Sequence, residues 1–232
     1  VDDPPFRFLG APHLAILGIT AAVSALVYIL GRRFRGTPRE DLLSRIILGL
    51  LLVTVLPHQV FKLVFLNIPP IDLCDFAGWI ASAALFFKHP LIRGVLFYWA
   101  FTLTIQALLT PELLSGFPSV RFFLFFVPHA AIIVAAVHTT FVLETPIDWR
   151  TWQSVSLLTL ILVALVFIGN MLMGTNFMYL MEKPVVPSIL DYMGPWPVYI
   201  LVEILAALGL WALLTRPMAR RSRLPSRETP AK

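Results

Sequence analysis

The sequence predicts an all-α, polytopic bundle of seven transmembrane helices, and three observations carry that reading. Hydrophobic residues make up 58% of the 232 and charged ones only 13%, too little polar surface to coat a soluble globule of this size. The apolar residues gather into seven runs of roughly the length an α-helix needs to cross a hydrocarbon core. The basic residues gather in alternate connections between those runs, as the positive-inside rule requires of a membrane protein.

The first run, 12–32, follows a start that carries Asp2, Asp3 and paired prolines but lacks the basic region of a signal peptide, so it is expected to be retained. The second covers 42–66 and gives way to Asn67-Ile-Pro-Pro-Ile-Asp-Leu-Cys-Asp75. Two prolines cannot continue a helix from before, while Pro70 suits a first turn, so the third helix is expected to start near Ile71 and to run to 88. Its free N–H groups favour a thiolate at Cys74, the chain's only cysteine, whereas Asp72 and Asp75 oppose one. The third run and the fourth, 91–110, are short, and Lys88-His89-Pro90 between them predicts a tight helical hairpin. Merging the two would leave six spans.

The remaining spans cover 121–143, 152–174 and 196–215, closing a single membrane domain over 1–215. The basic tail, 216–232, reads as a disordered extension held near anionic lipid. With seven spans, one side receives Arg32, Arg33, Arg35, Arg39, Arg45, Lys88, Arg93, Arg150 and the tail, against Arg7, Arg121 and Lys183 on the other. That asymmetry places the N-terminus outside and the C-terminus in the cytoplasm. Two outer loops, 110–119 and 175–195, are rich in shape-setting residues and are candidates to carry function. No internal repeat supports an inverted-repeat transporter.

Several chemistries find no support. The net charge of +5 lies in inter-helix segments and on no groove-reading motif, so no nucleic acid partner is expected. One cysteine excludes an internal disulfide framework or a CxxC zinc cluster. HExxH, glycine-rich phosphate loops and GxSxG are absent, and the spread histidines lack the spacing of a metal pair, so neither metal nor cofactor is expected.

Ionisable and amide groups inside spans are expensive and by default mark a cavity or a chemical site. Placed at about 1.5 Å of rise per residue, they share one depth: His13, His58, Lys62, Cys74, Asp75, Gln106, His129, Asn170 and Glu203 all fall toward the outer side. The inner halves offer mainly Arg45 and His138, near enough to the interface to snorkel. Each outer residue also has a structural role open to it. Free cysteine is usually buried and inert, a lone histidine ties helices together as readily as it moves protons, Gln106 and Asn170 suit interhelical hydrogen bonds, and Lys62 with Glu203 would make a buried ion pair or snorkel outward. Their convergence predicts an outer cavity and does not by itself specify chemistry. The runs Phe122-Phe123 and Phe125-Phe126 read as a lipid-contacting helix, with an acyl groove as the sharper alternative; Trp149, Trp152 and Trp196 sit where interfacial anchors belong.

Five stretches carry a family resemblance: His13-Leu14, IDLCDFAGW (71–79), TIQALLTPELLSGFPSVRFFLFFVPH (104–129), TNFMYLMEKPVVPSILD (175–191) and GPWPVYI (194–200). Through them the chain resembles the YwaF-type integral membrane family of bacteria, related to vertebrate membrane acyltransferases that use a cysteine to remodel glycerophospholipids. It departs from the family pattern at Pro69-Pro70-Ile71 and at Ala100, neither of which touches the thiol or the histidine. The resemblance implies residence in a bacterial cytoplasmic membrane, Cys74 as nucleophile and His129 as its base.

The expected activity is therefore transfer or hydrolysis of phospholipid acyl chains through a Cys–His pair. Asp72 or Asp75 would orient the imidazole; Gln106, Asn170 and Asn176 are the candidate donors to the oxyanion. His58, Lys62, Tyr179, Lys183, Asp191 and Trp196 are the candidates to bind a phospholipid, with Lys183 meeting its phosphate. Two competing readings are a proton-linked carrier that relays through His58, Lys62, His129 and Glu203, and a noncatalytic lipid-binding membrane protein. Protein partners are not predicted.

Overall fold

A computed structural model describes residues 3–185 and 188–222. Among them seven apolar helices and no strand are found: α1 (Ala11–Arg33), α2 (Pro38–Phe65), α3 (Leu73–Phe86), α4 (Pro90–Leu109), α5 (Val120–Val142), α6 (Trp149–Met173) and α7 (Val198–Ser222). Six are long and apolar enough to cross a membrane, and α3 is the shorter one. Helices are the only open-ended answer to a lipid solvent, because each satisfies its backbone within itself.

Several helices end or bend on wide π turns, at Phe61–Phe65 in α2, Ala100–Thr104 in α4 and His138–Val142 in α5. Pro57 lies one turn ahead of the first, where its missing N–H has already removed a rung of the hydrogen-bond ladder. α3 starts two residues later than Pro70 suggests. Asp72 holds the N-cap position instead, and its backbone N–H donates to Asp75 Oδ2 at 3.1 Å, closing a capping box over the first turn.

α3, half as long as α2, packs along it. Near its start Lys62 Nζ meets Asp75 Oδ2 at 2.5 Å, and just past its end Lys88 Nζ meets Asp41 Oδ1 at 3.1 Å, so its two ends are pinned to the two ends of α2. Gly78 permits the approach: a Cβ there would stand 2.8 Å from Val55 Cγ2. The first and last described segments lie at opposite ends of the bundle, as seven helices that alternate in direction demand. Before α1, Phe6 N donates to Leu114 O at 2.8 Å and Gly116 N to Pro4 O at 2.6 Å, fastening the N-terminal segment to the α4–α5 loop. At the other end Glu144 gathers Arg32 (2.5 Å), Arg35 and, from α7, Arg221 (3.6 Å).

The core lies along α4 and α5, the spans with the largest buried share. Leu51 and Val55 of α2, Ala81 of α3, Leu96 and Ala100 of α4, and Phe126, Ile132 and Ala136 of α5 are almost wholly buried. α1, α2, α6 and α7 bury far less and turn their leucines outward to where lipid belongs. Polar links pin α7 to α4: Tyr98 Oη lies 2.7 Å from Thr215 Oγ1, and Trp211 Nε1 donates to Thr102 Oγ1 at 3.0 Å.

Three expectations are corrected. α7 does not stop at 215 but continues through Pro217 to Ser222, carrying Arg221 to Glu144; residues 223–232 of the predicted tail lie outside the described residues. The phenylalanine run of α5 is one-faced, with Phe122 and Phe126 in the core and Phe123 exposed. His138 does not snorkel: it is fully buried, with Nε2 2.8 Å from Ser44 Oγ.

Candidate functional site

The polar residues expected to share a depth do so at the end that holds the N-terminal segment. α2 contributes His58, Gln59 and Lys62, and the first turn of α3 contributes Asp72, Cys74 and Asp75. Asp75, only 2% exposed, is the centre. One of its oxygens lies 3.2 Å from His58 Nε2; the other accepts from Lys62 Nζ at 2.5 Å and from Asp72 N–H. Lys62 also donates to Asp72 Oδ2 at 2.9 Å, and Gln59 Nε2 donates to the Asp75 carbonyl at 3.2 Å. Two carboxylates thus meet one ammonium and one imidazole across the α2–α3 contact. Pairing of this kind is what lets the buried Asp75 charge persist in low dielectric, while Gln59 Oε1 alone in the cluster stays buried without a partner among the described residues.

The arrangement reassigns the two aspartates. Neither orients His129 by a hydrogen bond: Asp75 is committed to His58 and Lys62, and Asp72 to Lys62 and to Met178 N–H at 3.1 Å. Lys62 pairs with them and not with Glu203, on which no charged partner acts among the described residues. His129 is instead held by its own helix, Nδ1 lying 2.6 Å from Phe125 O with the two rings stacked at 4.4 Å. A carbonyl only accepts, so Nδ1 carries the proton and Nε2 of the neutral ring is a bare lone pair. That nitrogen is buried and has no hydrogen-bond partner among the described residues. His129, 3% exposed, stands within electrostatic reach of His58, Lys62 and Asp75.

Cys74 is the second residue of α3 and half-buried. It lies one turn before Ala77, at the head of the small, buried stripe Ala77, Ala81 and Ala84, and within electrostatic reach of Lys62, both aspartates and Tyr179. The thiol and the imidazole occupy the same end of the bundle without a hydrogen bond between them.

The loop after α6 covers this end, and Asn170 and Asn176 build it. Asn170 Oδ1 accepts from Thr175 Oγ1 (2.8 Å) and Phe177 N–H (3.0 Å), while its Nδ2 donates to Phe177 O (2.9 Å). Asn176 accepts from the N–H groups of Met181 and Glu182 and donates to Glu182 O. Both amides are engaged by the loop through their oxygens and one N–H of each Nδ2. Just after Asn176 the chain takes left-handed conformations at Met178 (φ 58°) and Tyr179 (φ 52°), each costing about 1–3 kcal/mol in a non-glycine residue.

Tyr179 is fixed from three sides. Its hydroxyl donates to Glu112 Oε2, its carbonyl accepts from Tyr199 Oη at 2.5 Å, and the preceding N–H is held by Asp72. Burial, then the neighbouring Glu112 carboxylate, push its phenol well above the ordinary range, so it stays a donor. The other loop candidates each have a partner nearby. Lys183 Nζ lies 5.5 Å over the Tyr199 ring, Asp191 Oδ2 accepts from Ser188 N–H at 2.8 Å, and Trp196 Nε1 donates to Leu180 O at 3.1 Å. Gln106 points outward, exposed, from α4.

One contributor escapes sequence reading: Glu112, the partner of Tyr179, sits in the 110–119 loop, and nothing in the sequence signals that pairing. His13 is a structural clamp: Nδ1 accepts from Leu9 N–H at 3.1 Å and Nε2 donates to Leu108 O at 2.8 Å, satisfying the frayed end of α4. No group of three or more histidine, cysteine or acidic residues fit to hold a metal occurs among the described residues.

Fold and site together define a polytopic helical membrane protein with a buried acid–base network and a thiol at one end of the bundle. The chain belongs to the TMEM164 family, which it matches over residues 8–215. Comparison with curated proteins and with solved structures finds no match.

Proposed function

We propose that the protein is a membrane-embedded acyltransferase or lipid hydrolase in which Cys74 carries the acyl group and His129 moves the proton. The observation that supports this most is the bare, buried Nε2 of His129. A base in the interior with its other nitrogen locked to a carbonyl has its tautomer fixed and its lone pair unspent, as general-base catalysis requires. The resemblance to the YwaF-type proteins and their cysteine-dependent relatives supports the same pair.

In this mechanism Cys74 Sγ attacks the ester carbonyl of a phospholipid while His129 Nε2 takes the thiol proton. The carbonyl–oxygen bond breaks, the proton passes to the departing lysolipid oxygen, and an acyl-cysteine remains. An acceptor hydroxyl, or water, then loses its proton to His129 and attacks the thioester, returning the thiol. The first-turn N–H groups of Leu73 and Cys74, which have no intrahelical partner at any helix start, supply the oxyanion donors. By the positive-inside rule this end faces away from the cytoplasm, since the arginines gather at the other.

The test is acyl exchange between phospholipid and lysophospholipid in proteoliposomes. Cys74→Ala and His129→Gln are expected to abolish exchange and labelling by a lipid-like thiol-reactive probe while leaving thermal unfolding near wild type. Full exchange by Cys74→Ala overturns the proposal.

The contiguous titratable chain His58–Asp75–Lys62–Asp72 favours a second reading, a proton-linked carrier. It requires proton flux in liposomes that survives Cys74→Ala and is lost in His58→Gln.

A further inference from the structure

We infer that the Arg-rich end carries a separate binding site for a phosphate group, built on Arg93 and Ser44. A cleft of about 410 Å³ opens there, lined among others by Arg35, Glu40, Asp41, Ser44, Lys88 and Arg93. Its charges are mostly spoken for. Glu40 Oε2 accepts from Gly36 N–H at 2.6 Å, Asp41 is shared by Arg45 and Lys88, and Arg35 is committed to Glu144.

Arg93 is the exception. Its Nε donates to Ala84 O at 3.2 Å, and no carboxylate stands within ion-pair distance of it among the described residues. The terminal nitrogens of a half-buried guanidinium therefore keep unspent donors beside the cleft, in the planar fork that matches two phosphate oxygens. Ser44 is 6% exposed; its hydroxyl donates to Glu40 O at 3.1 Å with the fully buried His138 Nε2 2.8 Å away, and a phosphate replaces the Glu40 carbonyl as its acceptor. A phosphate there takes the Arg93 fork and the Ser44 hydroxyl, with Lys88 at the rim. The group can arrive on a lipid headgroup of the adjoining leaflet or on a small soluble phosphate, and the chemistry of recognition is the same.

The experiment uses the full chain in phosphatidylcholine nanodiscs, with inorganic phosphate in solution or phosphatidic acid in the bilayer as probes. Arg93 modification by phenylglyoxal is read by peptide mass spectrometry. Either probe is expected to protect Arg93 saturably in the wild type, and Arg93→Gln to weaken binding by about tenfold or more, the scale of a lost charge-assisted hydrogen bond. Protection by phosphatidic acid alone assigns a headgroup; protection by inorganic phosphate assigns a soluble ligand. Absence of protection by both, or unchanged affinity in a folded Arg93→Gln, overturns the site. Should that variant fail to fold, wild-type protection decides.

Discussion

The two ends of the bundle use charge in opposite ways. At the thiol end Lys62, Asp75 and His58 are withdrawn between α2 and α3, with the Lys62 side chain 14% exposed and that of Asp75 2%, and Asp72 at the rim meets solvent. At the Arg-rich end Glu144 is 36% exposed and gathers Arg32, Arg35 and Arg221 from α1, its following turn and α7 in contact with solvent. Desolvated charges cost much when orphaned and contribute little net stability when paired; solvated ones cost little either way. The thiol end is consequently a place where a missing partner is felt, while the Arg-rich end works as an adjustable clasp.

The largest effect that would separate the ends is the loss of Lys62. Lys62→Met leaves Asp75 buried with only His58 opposite it and is expected to destabilise by about 3–5 kcal/mol in detergent unfolding, whereas Arg35→Met should cost about 0–1 kcal/mol. The double variant Lys62→Met/Asp75→Leu should recover part of the loss, because no uncompensated charge is left. Equal effects of Lys62→Met and Arg35→Met would erase the distinction. Next in size is Gly78→Ala at the α2–α3 contact, where the new methyl meets Val55; overpacking there should cost about 1–3 kcal/mol by the same measurement. Asp148→Ala removes the acceptor for Thr151 N–H at 2.8 Å that starts α6 and should cost about 1 kcal/mol.

The smallest effect is the pH dependence of the clasp. Hydrogen bonding from Arg35, opposed by modest burial and aided by Arg32, holds the Glu144 carboxyl below its ordinary value of 4.5. Between the two values the unfolded chain binds more protons than the native one, so stability rises with pH there. The contribution is complete above the ordinary value and lost as pH falls through the lowered one. Exposure limits it to about 1 kcal/mol or less, and Glu144→Gln should flatten that part of a stability–pH curve. A slope that survives in the variant would place its origin elsewhere.

The spans were legible because lipid leaves the backbone one solution. The run read as 91–110 forms a helix at Pro90–Leu109, and that read as 121–143 forms one at Val120–Val142. Boundaries moved where local capping outweighed composition, as at Asp72, or where a tertiary contact prolonged a helix, as at Arg221. The common depth of His58, Lys62, Asp75 and His129 was legible too, since rise per residue fixes depth. Their partners were not. Asp75 and Lys62 are far enough apart in sequence that only the rotation of α2 against α3 brings them together, and Asn170 reads as a span residue until the loop folds back on it.

The amino-acid sequence by itself determined a helical membrane protein, its seven segments and the depth of each polar group, because hydrophobic length and helical rise act within one segment. The tertiary structure alone decided who holds whom: that the aspartates answer Lys62 and His58, that Tyr179 answers Glu112, and that His129 keeps a bare nitrogen. Partner choice depends on how neighbouring helices are rotated and how closely small residues such as Gly78 let them approach, and no single segment encodes that.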